Sequence, residues 1–205
     1  ESSSADAVAE VSFSANSTHL ILRRRPPESE GDGRGRGGNN DDASPGVDVV
    51  VHDLTTGRDQ LLGSVGDISL NKEGDLLAYT VDATVKDSNG LFVLDLVNSR
   101  MNSLDNGAAT YSRLTWNEEG TALAVLKGEA VDDMRERANV LIAFPDVGAA
   151  IDAIAAPVAP VVLDPSATDN FPEGWVVSER GAVSWSKDNT RVFFGMKEQV
   201  ADPSD

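Results

Sequence analysis

The stretch Ala182-Val183-Ser184-Trp185-Ser186-Lys187-Asp188-Asn189-Thr190-Arg191-Val192-Phe193-Phe194-Gly195 reads as a strand, a tight turn and a second strand. Apolar, Ser, large apolar, Ser alternate with period two, which places the apolar residues on one face of a sheet. Asn189 follows the large apolar Trp185 by four residues. Asn tolerates positive φ and bonds its own backbone, so it suits the turn of a hairpin.

The same phrase occurs three more times. Val11-Ser12-Phe13-Ser14, Ile68-Ser69-Leu70-Asn71 and Leu114-Thr115-Trp116-Asn117 repeat the strand, and Ser17, Gly74 and Gly120 take the turn position. A second apolar run follows each turn: Leu20-Ile21-Leu22, Leu76-Leu77-Ala78-Tyr79, Leu123-Ala124-Val125-Leu126 and, in the first copy described, Val192-Phe193-Phe194.

A second unit lies between these hairpins. It runs from Val47 to Gly57 with Asp53-Leu54-Thr55-Thr56-Gly57 at its end, and again from Gly90 to Ser99 with Asp95-Leu96-Val97-Asn98-Ser99. A looser copy is Val140 to Gly148, ending in Pro145-Asp146-Val147-Gly148. Each is a strand, an Asp-led turn and a short returning strand, through Gln60-Leu61-Leu62, Met101-Asn102-Ser103-Leu104 and Val161-Val162-Leu163.

Two hairpins make a four-stranded antiparallel sheet. The large apolar markers stand at 13, 70, 116 and 185, so they recur about 57, 46 and 69 residues apart. Four-stranded repeats of roughly 40–50 residues are the signature of propeller blades. The expected fold is therefore all-β, an open partial β-propeller of about three and a half blades. The blades are expected at about 8–62, 65–104 and 111–163, with a half blade at 180–198. A β-sandwich is the competing architecture, but it does not require the same turn offset four times.

Between the second and third strands of the first blade, residues 26–46 carry Pro, Gly, Asn and charge with almost no apolar side chain, and are expected to form a mobile insertion loop. The Arg34-Gly35-Arg36-Gly37-Gly38 tract within it sits among acids and reads as solvated rather than as an RNA contact. Residues 129–138 are expected at a hairpin tip or in one helical turn, and a short helix is expected from Ala149 to Ala155. Pro165 and Pro172 argue against a strand running through the 164–179 link.

The chain has 205 residues, 40% of them hydrophobic and 25% charged, which is globular composition. Its net charge of −17 repels nucleic-acid phosphates and anionic lipid surfaces. No apolar run approaches the roughly 18 residues of a membrane span. Cysteine is absent, so disulfides and thiolate metal sites are excluded. The chain begins at Glu1 rather than Met, and both ends are expected to continue into a longer polypeptide.

Catalytic signals are missing from the sequence. His19 and His52 lie on or beside expected strands with no nucleophile in motif spacing. Gly63-Ser64-Val65-Gly66 lacks the spacing of a nucleophile elbow. Asp87-Ser88-Asn89-Gly90 and Asp105-Asn106-Gly107 lack the terminal Glu of a calcium loop and read as turns. Glu118-Glu119 reads as a solvated hairpin turn. No catalytic, cofactor-binding or metal-binding residue is assigned.

The repeated unit resembles TolB-like and WD-type propeller repeats and, more closely, the propeller of the prolyl oligopeptidase family. The residues that carry this are Val49 to Gly57, Leu114 to Asn117 and Ala182 to Gly195. In that family the propeller precedes an α/β-hydrolase domain with a Ser-Asp-His triad. The resemblance implies a non-catalytic segment of a serine peptidase that restricts substrate access. Its implied partners are further blades and a hydrolase domain of the same chain, with a peptide as the parent's substrate. A TolB-like periplasmic protein-binding propeller is the alternative, and a scaffold or glycan-acting propeller a third. Location is left open, with periplasmic or extracellular placement slightly favoured.

Overall fold

The computed structural model describes residues 8–25, 46–152 and 159–202. All but the last residue of the expected 26–46 loop lie outside these. Four sheets account for the described strands, all antiparallel.

The first blade is built from β1 (Val8–Phe13), β2 (His19–Arg24), β3 (Val47–Asp53) and the first half of β4 (Asp59–Leu70). The second half of β4 is the innermost strand of the next blade, followed by β5 (Leu76–Val81), β6 (Gly90–Asp95) and β7 (Arg100–Asn106). β4 pairs with β3 through Val49↔Leu62 and with β5 through Ile68↔Tyr79, so these seven strands form one continuous sheet. The sequence suggests two separate strands here. They run together because only Gly63 and Ser64 separate them, and Ser64 turns the chain with φ 52° without ending the ladder.

The third blade is a separate sheet of β8 (Thr110–Trp116), β9 (Leu123–Glu129), β10 (Ala138–Phe144) and β11 (Val161–Leu163). Its Asp turn becomes a helix. Asp146 accepts a hydrogen bond from Ala149 N–H and caps α1 (Val147–Ile151), so the helix begins two residues before the expected Ala149. The expected helix's last three residues, 153–155, lie outside the described residues.

The last hairpin has two pieces. β13 (Ser184–Trp185) pairs with β14 (Val192–Phe193), and β12 (Trp175–Val177) pairs with β15 (Met196–Glu198). The hairpin thus starts earlier than 180. Residues between Ser178 and Val183 loop out, and Gly181 packs against Gly195, where an added Cβ would lie 2.9 Å from the Gly195 Cα. Pro165 opens a single 3-10 turn, Pro165–Ala167, but the 164–179 link, expected to hold no strand, contains β12 after Pro172.

Three cores lie between successive blades among the described residues. Ile21, Val49, Leu62, Leu77 and Tyr79 pack between blades one and two. Ala78, Leu91, Leu123, Val125 and Phe144 pack between blades two and three. Ala124, Leu126, Leu141 and Val177 pack between blade three and the last hairpin, together with Trp185 and Phe194. Leu77 and Ala78 are neighbours in β5 yet enter different cores, as do Leu123 and Ala124 in β9. Alternation along a strand sends successive side chains to opposite faces, and here both faces are buried. A two-layer sandwich has one core and solvated outer faces, so the arrangement is a stack of blades.

Candidate functional site

The innermost strands meet at the axis of the arc. Each ends in the repeated phrase, and the polar residue that closes the phrase organises the turn. Asn71 Oδ1 accepts from the N–H groups of Gly74, Asp75 and Leu76 at 3.0–3.1 Å. Asn117 Oδ1 accepts from Thr121 and Ala122, Ser14 Oγ from Thr18 and His19, and Ser186 Oγ from Arg191. The four turn residues all have left-handed backbones: Ser17 at φ 57°, Gly74 at 75°, Gly120 at 76° and Asn189 at 56°.

These turns stack on one another. A Cβ on Gly74 would lie 2.5 Å from Ala15 N, and one on Gly120 would lie 2.8 Å from Lys72 N. Glycine is required there by both φ and space. Asn16 Nδ2 donates to Gly74 O and Asn71 Nδ2 to Gly120 O, each reaching the next blade at 3.2 Å. Trp116 Nε1 donates to Ser69 O at 3.1 Å, and Trp185 Nε1 donates to Thr115 O at 3.0 Å. Each Trp thus reaches the residue just before the large apolar marker of the preceding blade, which sets one register from blade two to the last hairpin.

Below that level every innermost strand is irregular. The pairing slips between Val8 and Glu10, between Val65 and Ile68, and between Ser112 and Thr115. The last hairpin is broken between Val177 and Ser184. A bulge bends a strand and re-aims its side chains. Here the bulges hold charged residues three positions before the marker: Asp67 in blade two and Arg113 in blade three.

The bulges of blades two and three and the looped-out segment of the last hairpin surround an axial cleft of about 690 Å³. Its polar lining includes Asp67, Ser69, Arg113, Thr115, Arg137 and Glu179. Arg113 has φ 61°, uncommon for a side chain of this size, and its Nε donates to Glu179 O. Arg137 Nη1 lies 3.0 Å from Glu179 Oε2, with both side chains about three-quarters buried. The other carboxylate oxygen, Oε1, is enclosed without a hydrogen-bond partner. The stem of Arg137 passes over Gly128, where an added Cβ would meet its Cδ at 3.1 Å.

The residues weighed in the sequence fall elsewhere. His19 is buried, and its Nδ1 lies 2.8 Å from Thr18 Oγ1. His52 Nδ1 lies 2.6 Å from Asp59 Oδ1 across the β3–β4 pair. Asn89 Oδ1 accepts from Ala83 N–H, its Nδ2 donates to Ala109 O, and Asp105 accepts from the Tyr111 hydroxyl and from Lys127. Glu119 accepts from Asn189 Nδ2, tying the third turn to the fourth. Among the described residues no cluster of three or more His, Asp or Glu side chains could hold a metal ion. Among the described residues, no helix is long and apolar enough to cross a membrane. The axial cleft itself was not apparent in the sequence, because its residues come from four segments and only the fold brings them together.

The shifted titrations mark turns and packing. The Thr56 hydroxyl, with the N–H groups of Thr56 and Thr55, pulls the Asp53 carboxyl down to about 2. Ser186 and Thr190 lower Asp188 in the same way. Burial pushes the Tyr79 hydroxyl up to about 12. Burial first, then the bond to Asp105, raises Tyr111 well above the usual range.

No sequence-family description matches the chain, and no curated protein matches it in sequence. Solved structures do. A prolyl endopeptidase aligns at 12% identity over 92% of this chain and 26% of its own, with a TM-score of 0.50. Dipeptidyl peptidase 4 from Porphyromonas gingivalis aligns at 7% identity over 93% of this chain and 29% of its own, with a TM-score of 0.59. TolB from Acinetobacter baumannii is a looser match, at 12% identity over 91% and 37% of the two chains and a TM-score of 0.43. The chain spans under a third of the two peptidases. At such identities the likeness speaks to fold: this chain is a partial β-propeller, structurally similar to a portion of a prolyl endopeptidase and of a dipeptidyl peptidase 4.

Proposed function

We propose that this chain is part of the propeller of a prolyl oligopeptidase-like serine hydrolase. In this reading it restricts substrate access to a hydrolase domain carried elsewhere in the same protein. The observation that carries the reading is the fold match at a TM-score of 0.59 to a peptidase more than three times as long as the aligned portion. The remaining blades and the hydrolase domain are the partners it requires, and a peptide is the substrate of the whole.

Such a wall acts by exclusion. Blades buried on both faces are stiff, because close-packed interiors do not deform continuously. A stiff ring admits an extended peptide and turns away a folded domain without any chemistry of its own.

The test uses the complete protein. Its reading frame is expected to contain a G-x-S-x-G serine followed by Asp and His, outside the residues described above. The purified protein is expected to cleave short peptides and leave a folded protein of the same cleavage sequence intact. Replacing that serine by Ala should abolish cleavage. A reading frame without a hydrolase domain, or equal cleavage of both substrates, would refute the proposal.

A further inference from the structure

We propose that Arg113 makes the axial cleft a receptor for a peptide carboxylate. Three observations converge on this residue. It occupies the bulge of β8 with φ 61°, a conformation that a long side chain rarely adopts and that marks functional positions when the surroundings enforce it. Its Nε is tethered to the Glu179 carbonyl. Arg113 lines the cleft, and among the described residues neither of its Nη groups has a hydrogen-bond or ion-pair partner. A guanidinium fixed through Nε and open at both Nη atoms presents the paired donors that a carboxylate accepts end-on.

The surroundings favour that ligand. Glu179 Oε2 is engaged with Arg137, which offsets part of its charge, while its enclosed Oε1 has no partner. Ser69 and Thr115 line the same cleft beside Arg113. Asp67 stands at the equivalent position one blade away. It makes the cleft dipolar, so a peptide is oriented with its carboxylate at Arg113 and its N–H groups toward Asp67. In a chain of net charge −17 the long-range field repels anions. Recognition therefore depends on direct contact, and affinity is expected to be modest and to rise with screening of that field. The assignment uses residues of this chain alone, and it stands or falls independently of a hydrolase domain.

The test is an NMR titration of the ¹⁵N-labelled chain, following the Arg113 Nε–H and the Glu179 backbone amide. Three probes separate the sources of the carboxylate: N-acetyl-trialanine with a free C-terminus, its C-terminal amide, and the amide of N-acetyl-Ala-Glu-Ala. The free acid is expected to bind at least tenfold more tightly than its amide. Binding of the Glu peptide at similar strength assigns the site to acidic side chains; its failure to bind assigns the site to chain ends. Arg113→Met should erase the discrimination, Arg113→Lys should keep only part of it, and Arg24→Met, which removes an exposed partner of Asp48, should leave it intact. A thermal melt of Arg113→Met matching the parent shows that the loss is not unfolding. Equal binding of acid and amide, discrimination surviving in Arg113→Met, or no shift with any probe would overturn the proposal.

Discussion

Asp53 shows how little is needed to specify a turn. Its carboxylate accepts from the N–H groups of Thr55 and Thr56 and from the Thr56 hydroxyl, and Asp95 does the same for Val97 and Asn98. The bonds to Asp53 favour its ionised form, so the folded chain holds it at about 2, below the roughly 3.9 of an unfolded chain. The contribution to stability is complete above the unfolded value and is lost as pH falls through the folded one. Asp53→Asn is therefore expected to flatten the stability profile between about pH 4 and pH 2, measured by urea melts at each pH. An unchanged slope in that window would contradict the assignment. The group is exposed, so the effect belongs to this turn and not to the cores.

At the scale of the strand, the repeated Trp hydrogen bond sets the radial register. Trp116 and Trp185 each donate to the preceding inner strand, while Leu70 holds the same place in blade two with no donor. Trp116→Phe keeps most of the apolar contact and removes the indole's hydrogen bond to the Ser69 carbonyl. It is expected to cost about 1–3 kcal/mol, read as a shift of the denaturant midpoint with an unchanged slope. A cost near zero would mean that packing alone sets the register. The phrases that recur in sequence are the ones that do repeated physical work in three dimensions. Ser14, Asn71, Asn117 and Ser186 announce the turns because a backbone N–H needs an acceptor, and Ser17, Gly74, Gly120 and Asn189 because the backbone there has positive φ. The bulges left no such trace. One extra residue at Asp67 or Arg113 breaks no apolar pattern that one sequence can reveal, and so the cleft they build was not foreseen. The fusion of two strands into β4 escaped for a related reason: Ser64 carries no mark that it bends rather than ends a strand.

Among the described residues the cores lie between blades, and one face of the first blade packs against no other blade. Val11 and Phe13 are 54% and 60% exposed, and Leu61 is 60% exposed. Cross-strand pairing puts Val11 beside Leu22 and Phe13 beside Leu20, so these side chains share one apolar face. Contiguous apolar surface of this kind drives association, whereas a charge of −17 opposes it. The balance depends on salt, since at 0.15 M the Debye length shrinks to about 8 Å. The isolated chain is expected to be monomeric at low ionic strength and to associate as salt is added, by light scattering. Phe13→Lys should suppress the association. A monomer at every salt concentration would show that the face is covered some other way.

The shared strand β4 ties two of the blades together more closely than the third. Blades one and two are knitted by backbone bonds through Asp59–Leu70, whereas blade three meets them chiefly through side chains. Warming or denaturant therefore confronts a fused pair and a looser neighbour, and amide protons in the pair share a single opening event.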